Sequence, residues 1–207
     1  MKIKYDIIIL CVIVLFVSCN EKYNRIKESN NDYNEFKSKI PSKLLNNFRK
    51  TIIGNNTIID VTYPEALKYN VSYCGVFITT KLTDSSFDSE YKKNINNDSF
   101  VGLVNDSQIV KIDVKIDSNY FSRYKNLLSQ KYVYFIPNYF GKYSPLNEDS
   151  LSNDVETLII DSEKGEFLQK EYLKNNNFLP KEYEHGCTKG IIFDKKKLEM
   201  IYWMIIW

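Results

Sequence analysis

Apolar and polar residues along this 207-residue chain change places in short runs that define a series of strands, with a few stretches of helical period between them. Thr57 to Tyr63 is a β-branched run closed by Pro64. From Asn70 to Leu82 the residues alternate, Val71, Tyr73 and Phe77 falling on one face and Cys74, Val76 and Ile78 on the other. Phe100 to Val104 and Ile109 to Ile116 flank Asn105-Asp106-Ser107, whose residues tolerate turn geometry, and the pair predicts a hairpin. In its second strand Val110, Ile112, Val114 and Ile116 alternate with Lys111, Asp113 and Lys115, one face dry and one wet. Lys131 to Ile136 and Val155 to Asp161 are strand-like, and Glu163-Lys164-Gly165 reads as a turn. Phe167 to Leu173 fits helix and strand equally. Gly190 to Asp194 and Leu198 to Trp207 predict a last hairpin around Lys195-Lys196-Lys197. Its final strand is apolar on both faces apart from Glu199, the pattern of a central strand covered on both sides.

Two segments have helical spacing. Leu44, Leu45, Phe48 and Ile52 share one side of a helix that starts at Pro41, a residue suited to the first turn, and stops at Gly54. Ser118 caps a second that runs to about Gln130 with Phe121, Tyr124, Leu127 and Leu128 inward. Residues 138 to 153, with Gly141, Pro145 and a cluster of Asn, Asp and Ser, form the longest loop. Strands follow one another through short turns more often than through helices. The pattern therefore predicts an α+β fold, a mainly antiparallel sheet with two or three packed helices, in a single globular domain from residue 40 to 207. Residues 19 to 39 are polar, with isolated Tyr23, Ile26, Tyr33 and Phe36, and read as a tether that turns helical toward its end.

The N-terminus has a different pattern. Lys2 and Lys4 precede eleven uninterrupted apolar residues, Ile7 to Val17, and Ser18-Cys19 leads abruptly into Asn20-Glu21-Lys22. Eleven residues make about 16 Å of helix, roughly half of a ~30 Å hydrocarbon core, so a signal peptide is favoured over a permanent span. Leu15-Phe16-Val17-Ser18-Cys19 resembles the lipobox of bacterial lipoproteins. That resemblance implies removal of residues 1 to 18, diacylglycerol in thioether linkage on Cys19, and a lipid-anchored protein of the bacterial cell envelope. Asn20, where many lipoproteins kept in the inner membrane carry aspartate, points to the outer membrane with the leaflet open. An uncleaved signal anchor is the alternative for the same residues.

Composition narrows the partners. Lys2, Lys4 and Asp6 leave with the signal peptide, so the formal net charge falls from +2 to +1, and the remaining basic residues are interleaved with acids. This argues against nucleic acid as a partner, since such binders concentrate Lys and Arg on one face. With 189 residues left, roughly 70% of the unfolded surface can be buried, enough for a core without staples.

Candidate chemistry is sparse. Cys74 and Cys187 remain after the anchor; an exported chain permits a disulfide between them, and two buried free thiols are the favoured reading. His185-Gly186-Cys187 brings imidazole and thiol close in sequence, which a thiol enzyme would need in space as well; a turn at Gly186 is the plainer reading. One histidine and no CxxC argue against a zinc site, and Asn147-Glu148-Asp149 with Asn153-Asp154 lacks the order of an EF-hand, so no metal is expected. No phosphate-cradling glycine motif is present, and no cofactor is expected. Tyr139, Phe140 and Tyr143, flat rings beside a polar loop, are candidates for a recognition surface. The expectation is a non-catalytic envelope lipoprotein, joined to the membrane through lipid, that binds a protein or glycan partner and of which an immunity-type role is one case. An exported hydrolase built on Cys187 and His185 is the alternative.

Overall fold

Tyr33, Phe36 and Ile40 recur at the spacing of one helical face, and in the computed structural model all three are buried. The model describes residues 30–49, 56–69, 71, 73–104, 109–112, 134–137, 155–173 and 181–207. In chain order the elements are helix α1 (residues 30–39), strands β1 (Thr57–Thr62) and β2 (Cys74–Lys81), helix α2 (Asp84–Ile95), and strands β3 (Gly102–Val104), β4 (Ile109–Ile112), β5 (Tyr134–Pro137), β6 (Val155–Lys164), β7 (Gly186–Asp194) and β8 (Glu199–Ile206). Short 3-10 turns occupy Ser42–Leu45, Pro64–Lys68, Lys170–Tyr172 and Lys181–Tyr183. Six strands form one sheet in the order β1-β2-β8-β7-β6-β3, antiparallel at every step, and β4 pairs with β5 in parallel. The architecture is α+β, as the strand and helix pattern predicts.

The last strand is central, between β2 and β7, and buried on both faces. On one face Met200, Tyr202, Met204 and Ile206 line up with Thr80, Ile78, Val76 and Cys74 of β2 and with Phe193, Ile191, Lys189 and Cys187 of β7. Two coverings meet on that face. Residues of α1, with Leu44, Phe48, Leu67 and Phe167, pack over Cys74, Val76, Ile78, Cys187, Met204 and Ile206. Phe87 of α2 packs over Leu158, Ile160, Ile191, Phe193 and Met200. Tyr202 touches both clusters. The opposite face carries Phe77, Ile192, Ile201, Trp203 and Ile205, all buried.

Three sequence expectations are corrected. First, the polar segment does not remain a tether to residue 39: α1 already belongs to the packed core, because Tyr33 and Phe36 fall on the same helical face and are 2% and 0% exposed. Among the described residues the first buried side chain is Tyr33. Second, in the described part of the helix expected from Pro41 to Gly54, residues 41–49, there is only a 3-10 turn at Ser42–Leu45; residues 50–54 lie outside the described residues. Phe48 N–H donates to the Leu45 carbonyl at 3.1 Å instead of reaching Leu44. The buried ammonium of Lys189 takes the Leu44 carbonyl at 2.9 Å and the Asn46 carbonyl at 2.6 Å. Lys189 holds both carbonyls toward the sheet, and Asn47, in the left-handed region at φ 59°, turns the chain out of the helix. Leu44 and Phe48 keep their inward places. Third, β3 and β4 do not form a hairpin. β3 pairs with Thr157 to Ile159 of β6 at one end of the sheet, and β4 pairs with β5.

Boundaries shift elsewhere. β6 runs on to Lys164, and its turn falls at Gly165, where φ is 135°. β7 starts at Gly186, four residues earlier than the pattern suggests. The segment 167–173 is neither long helix nor strand: Phe167 anchors it in the core and a 3-10 turn follows. The signal peptide, the helix predicted over 118–130 and the loop 138–153 lie outside the described residues. Among the described residues no helix is long and apolar enough to cross a membrane.

Candidate functional site

Between α2 and the turn that follows α1, the shared face of the sheet is left partly uncovered, and a cavity of about 450 Å³ lies there. Thr80 of β2 and Met200 and Tyr202 of β8 line it from the sheet, Ser86, Glu90 and Lys93 from α2, and Leu82 and Arg49 from the connecting segments. The sequence builds these walls locally. Thr83 caps α2 by accepting from Ser86 N–H at 3.4 Å, and its hydroxyl donates to Ser86 Oγ at 3.0 Å, so Ser86, Glu90 and Lys93 follow at helical spacing along one side. The left-handed Asn47 sends Phe48 into the core and leaves Arg49 at the rim.

Arg49 is the best-anchored charge in this cavity. Its carbonyl accepts a hydrogen bond from the hydroxyl of Tyr33, a side chain of α1 that is 2% exposed. Three and five residues earlier, at Asn46 and Leu44, the chain is pinned by Lys189. That ammonium, 2% exposed, donates to two backbone carbonyls and pairs with Asp161 at 3.2 Å, using all three of its protons. A register shift between Ile159 and Asp161 places Asp161 opposite Lys189; an unbroken ladder would have put Ile160 there. The guanidinium of Arg49 donates to Thr80 Oγ1 at 3.0 Å and lies 5.2 Å from the ring centroid of Tyr202. Among the described residues Arg49 has no carboxylate partner. Burial pushes the Tyr202 phenol up, with Arg49 pulling the other way and Glu90 adding to the rise, so the hydroxyl is a neutral donor and reaches Asn94 Oδ1 at 3.4 Å. Lys93 is mostly exposed and meets Glu90 at 3.7 Å, a loose pair one helical turn apart.

The residues singled out by sequence take other positions. Cys74 and Cys187 are free and buried. Both oppose Ile206, one from each side, so two strand spacings of about 4.8 Å put their Cα atoms roughly 10 Å apart, beyond the ~7 Å reach of a disulfide. The two thiols stand apart. Burial pushes the Cys74 thiol up to about 12. Cys187 is raised by burial above all, with Lys189 opposing and Asp161 and Glu163 adding to the rise. A thiol in that environment is protonated and shielded, the reverse of an activated nucleophile. His185 is half-buried outside β7, its carbonyl accepting from Gly165 N–H at 3.0 Å. Gly186 is not a turn residue: a Cβ there would stand 2.5 Å from the ring of Trp207, so close approach of the indole requires the glycine. Among the described residues no three of His, Cys, Asp and Glu are grouped to hold a metal ion. Cys19, Tyr139, Phe140 and Tyr143 lie outside the described residues.

Sequence reasoning missed Arg49, Lys189 and Tyr202. Lys189 could have been found, since alternation through Cys187, Ile191 and Phe193 aims it inward and an inward lysine demands partners. Arg49 could not, because its place depends on the broken helix before it. No family model matches the chain, and no curated protein and no solved structure matches it.

Proposed function

We propose that this chain is a non-catalytic binding protein of a bacterial cell envelope, held at the membrane by lipid on Cys19. The observation that carries the binding reading is the cavity walled by Arg49, a cation positioned from two sides and, among the described residues, without a carboxylate partner. A held guanidinium beside an aromatic floor is equipment for recognition. The raised, buried thiols of Cys74 and Cys187 support the same reading, because neither is a nucleophile open to substrate.

The anchor rests on Leu15-Phe16-Val17-Ser18-Cys19 and the polar sequence after it. Acyl chains contribute roughly 0.8 kcal/mol per buried CH₂, and two or three chains hold firmly without help from protein charge. Cys19→Ala is expected to move the protein from the membrane fraction to the soluble fraction and to abolish incorporation of labelled palmitate. Retention of Cys19→Ala in the membrane would return the N-terminus to an uncleaved anchor.

A further inference from the structure

We propose that the cavity between α2 and Arg49 takes a singly charged organic carboxylate with a short apolar body, Arg49 binding the carboxylate and Tyr202, Met200 and Leu82 receiving the body. The inference rests on the binding reading above and is independent of the lipid anchor.

The charge of the ligand follows from the walls. One edge of the Arg49 guanidinium is engaged by Thr80, and its remaining N–H donors have no acidic partner among the described residues. Planar, forked donors match a carboxylate in geometry and in charge. Lys93 stands on α2 and, among the described residues, pairs with Glu90 alone at a loose 3.7 Å, so it can turn toward an incoming anion. Glu90 lines the same cavity and opposes a second negative charge on the ligand, which disfavours a phosphate dianion. The body of the ligand follows from the floor. Met200 and Leu82 present apolar surface, Tyr202 presents a ring, and about 450 Å³ falls within the roughly 300 to 1,000 Å³ of small-molecule sites.

The site is also organised before any ligand arrives. The backbone of Arg49 is tied to α1 by Tyr33, and the turn before it is tied to β7 by Lys189. Holding the cation in place removes part of the ordering cost of binding.

The test uses the full-length protein in detergent micelles and ligand-observed saturation-transfer NMR. The probes are benzoate, phenylacetate and hexanoate, each set against its neutral primary amide, and inorganic phosphate. At least one of the acids is expected to bind at least about tenfold more tightly than its amide. Arg49→Met, which keeps an apolar stem over Tyr202, is expected to erase that preference while leaving the thermal midpoint close to that of the parent. If Arg49→Met proves unstable, Arg49→Lys replaces it and is expected to weaken binding by loss of the forked contact. The inference is overturned if none of the three acids binds, if amides bind as well as acids, if phosphate binds more tightly than the acids, or if a folded Arg49 variant binds as the parent does. Failure here leaves the Cys19→Ala result untouched, and a Cys19→Ala protein that stays in the membrane leaves the cavity untouched.

Discussion

Gly190 and Trp203 are paired across β7 and β8, and a Cβ on that glycine would stand 2.4 Å from the Leu158 carbonyl and 2.8 Å from the Trp203 ring. Four residues away Gly186 and Trp207 repeat the arrangement, with Gly186 N–H donating to the Trp207 carbonyl at 3.1 Å. Each indole lies over the gap its glycine leaves. The register brings this about: around the turn at Lys195-Lys196-Lys197 the four-residue spacing of the glycines superimposes on that of the tryptophans, a match missed by a sequence reading that takes Gly186 for a turn. Gly190→Ala is expected to destabilise the fold by about 1–3 kcal/mol through overpacking, read as a lower urea midpoint at unchanged slope. A second residue-scale effect is alkaline. The Cys74 thiol rises from 9.0 to about 12 and the Tyr33 phenol from 10.0 to about 12, both chiefly by burial. In each case the folded state keeps a proton that the unfolded chain releases, so the stabilisation is complete below the unfolded value and is lost as pH climbs toward the folded one. Stability is expected to hold up to about pH 9 and then to fall, by about 1.4 kcal/mol per pH unit for each group in its window. Urea midpoints across this range check it. The double variant Cys74→Ala/Cys187→Ala should delay the onset to about pH 10, where Tyr33 begins to count.

Helix α1 shows how an element can be half legible. Composition makes residues 20 to 39 a polar tether, and by residue count they are, but three inward positions over two turns suffice to dock a helix whose other faces are wet. The element after it fails in the opposite sense. Leu44, Leu45 and Phe48 have helical spacing and yet give only a 3-10 turn, where Lys189 on β7, distant in sequence, holds the Leu44 and Asn46 carbonyls and Asn47 turns left-handed. A tertiary contact overrides the local period there, and no window of sequence contains it. Both readings can be checked by stability. Phe36→Ala should cost about 3–5 kcal/mol if α1 is core, whereas a residue in a solvated tether would cost almost nothing; chemical denaturation separates the two. Lys189→Met keeps the volume of the stem and removes the ammonium, leaving the buried Leu44 carbonyl unpaired at a cost of about 1–3 kcal/mol. The same variant should also weaken carboxylate binding, since the turn that presents Arg49 loses its tie to the sheet.

At the scale of the whole molecule, strand identity was far easier to read than strand order. Alternation marks β2 and the apolar run marks β8, but their pairing joins Cys74–Lys81 to Glu199–Ile206 across more than half of the chain, and no local signal sets that register. What the sequence did carry was the central place of the last strand, because a run apolar on both faces has nowhere else to lie. The consequence is severe for a terminal element. Tyr202 bridges the two clusters on one face, Met204 and Ile206 floor the α1 cluster, and Trp203, Ile205 and Trp207 are buried on the other. Removing residues 202 to 207 would take most of the strand that joins β1-β2 to β7-β6-β3 and strip Met204 and Ile206 from the floor under α1. The loss of four fully buried side chains, Trp203, Met204, Ile205 and Ile206, each contributing about 1.5–3 kcal/mol by burial, by itself approaches the 5–15 kcal/mol by which domains are stable. The truncated chain is expected to be insoluble, or to lack a cooperative thermal transition and near-ultraviolet circular dichroism. A soluble truncate with a sharp melt would show that the two halves of the sheet hold together without β8, and would overturn its assignment as the strand on which the fold is built.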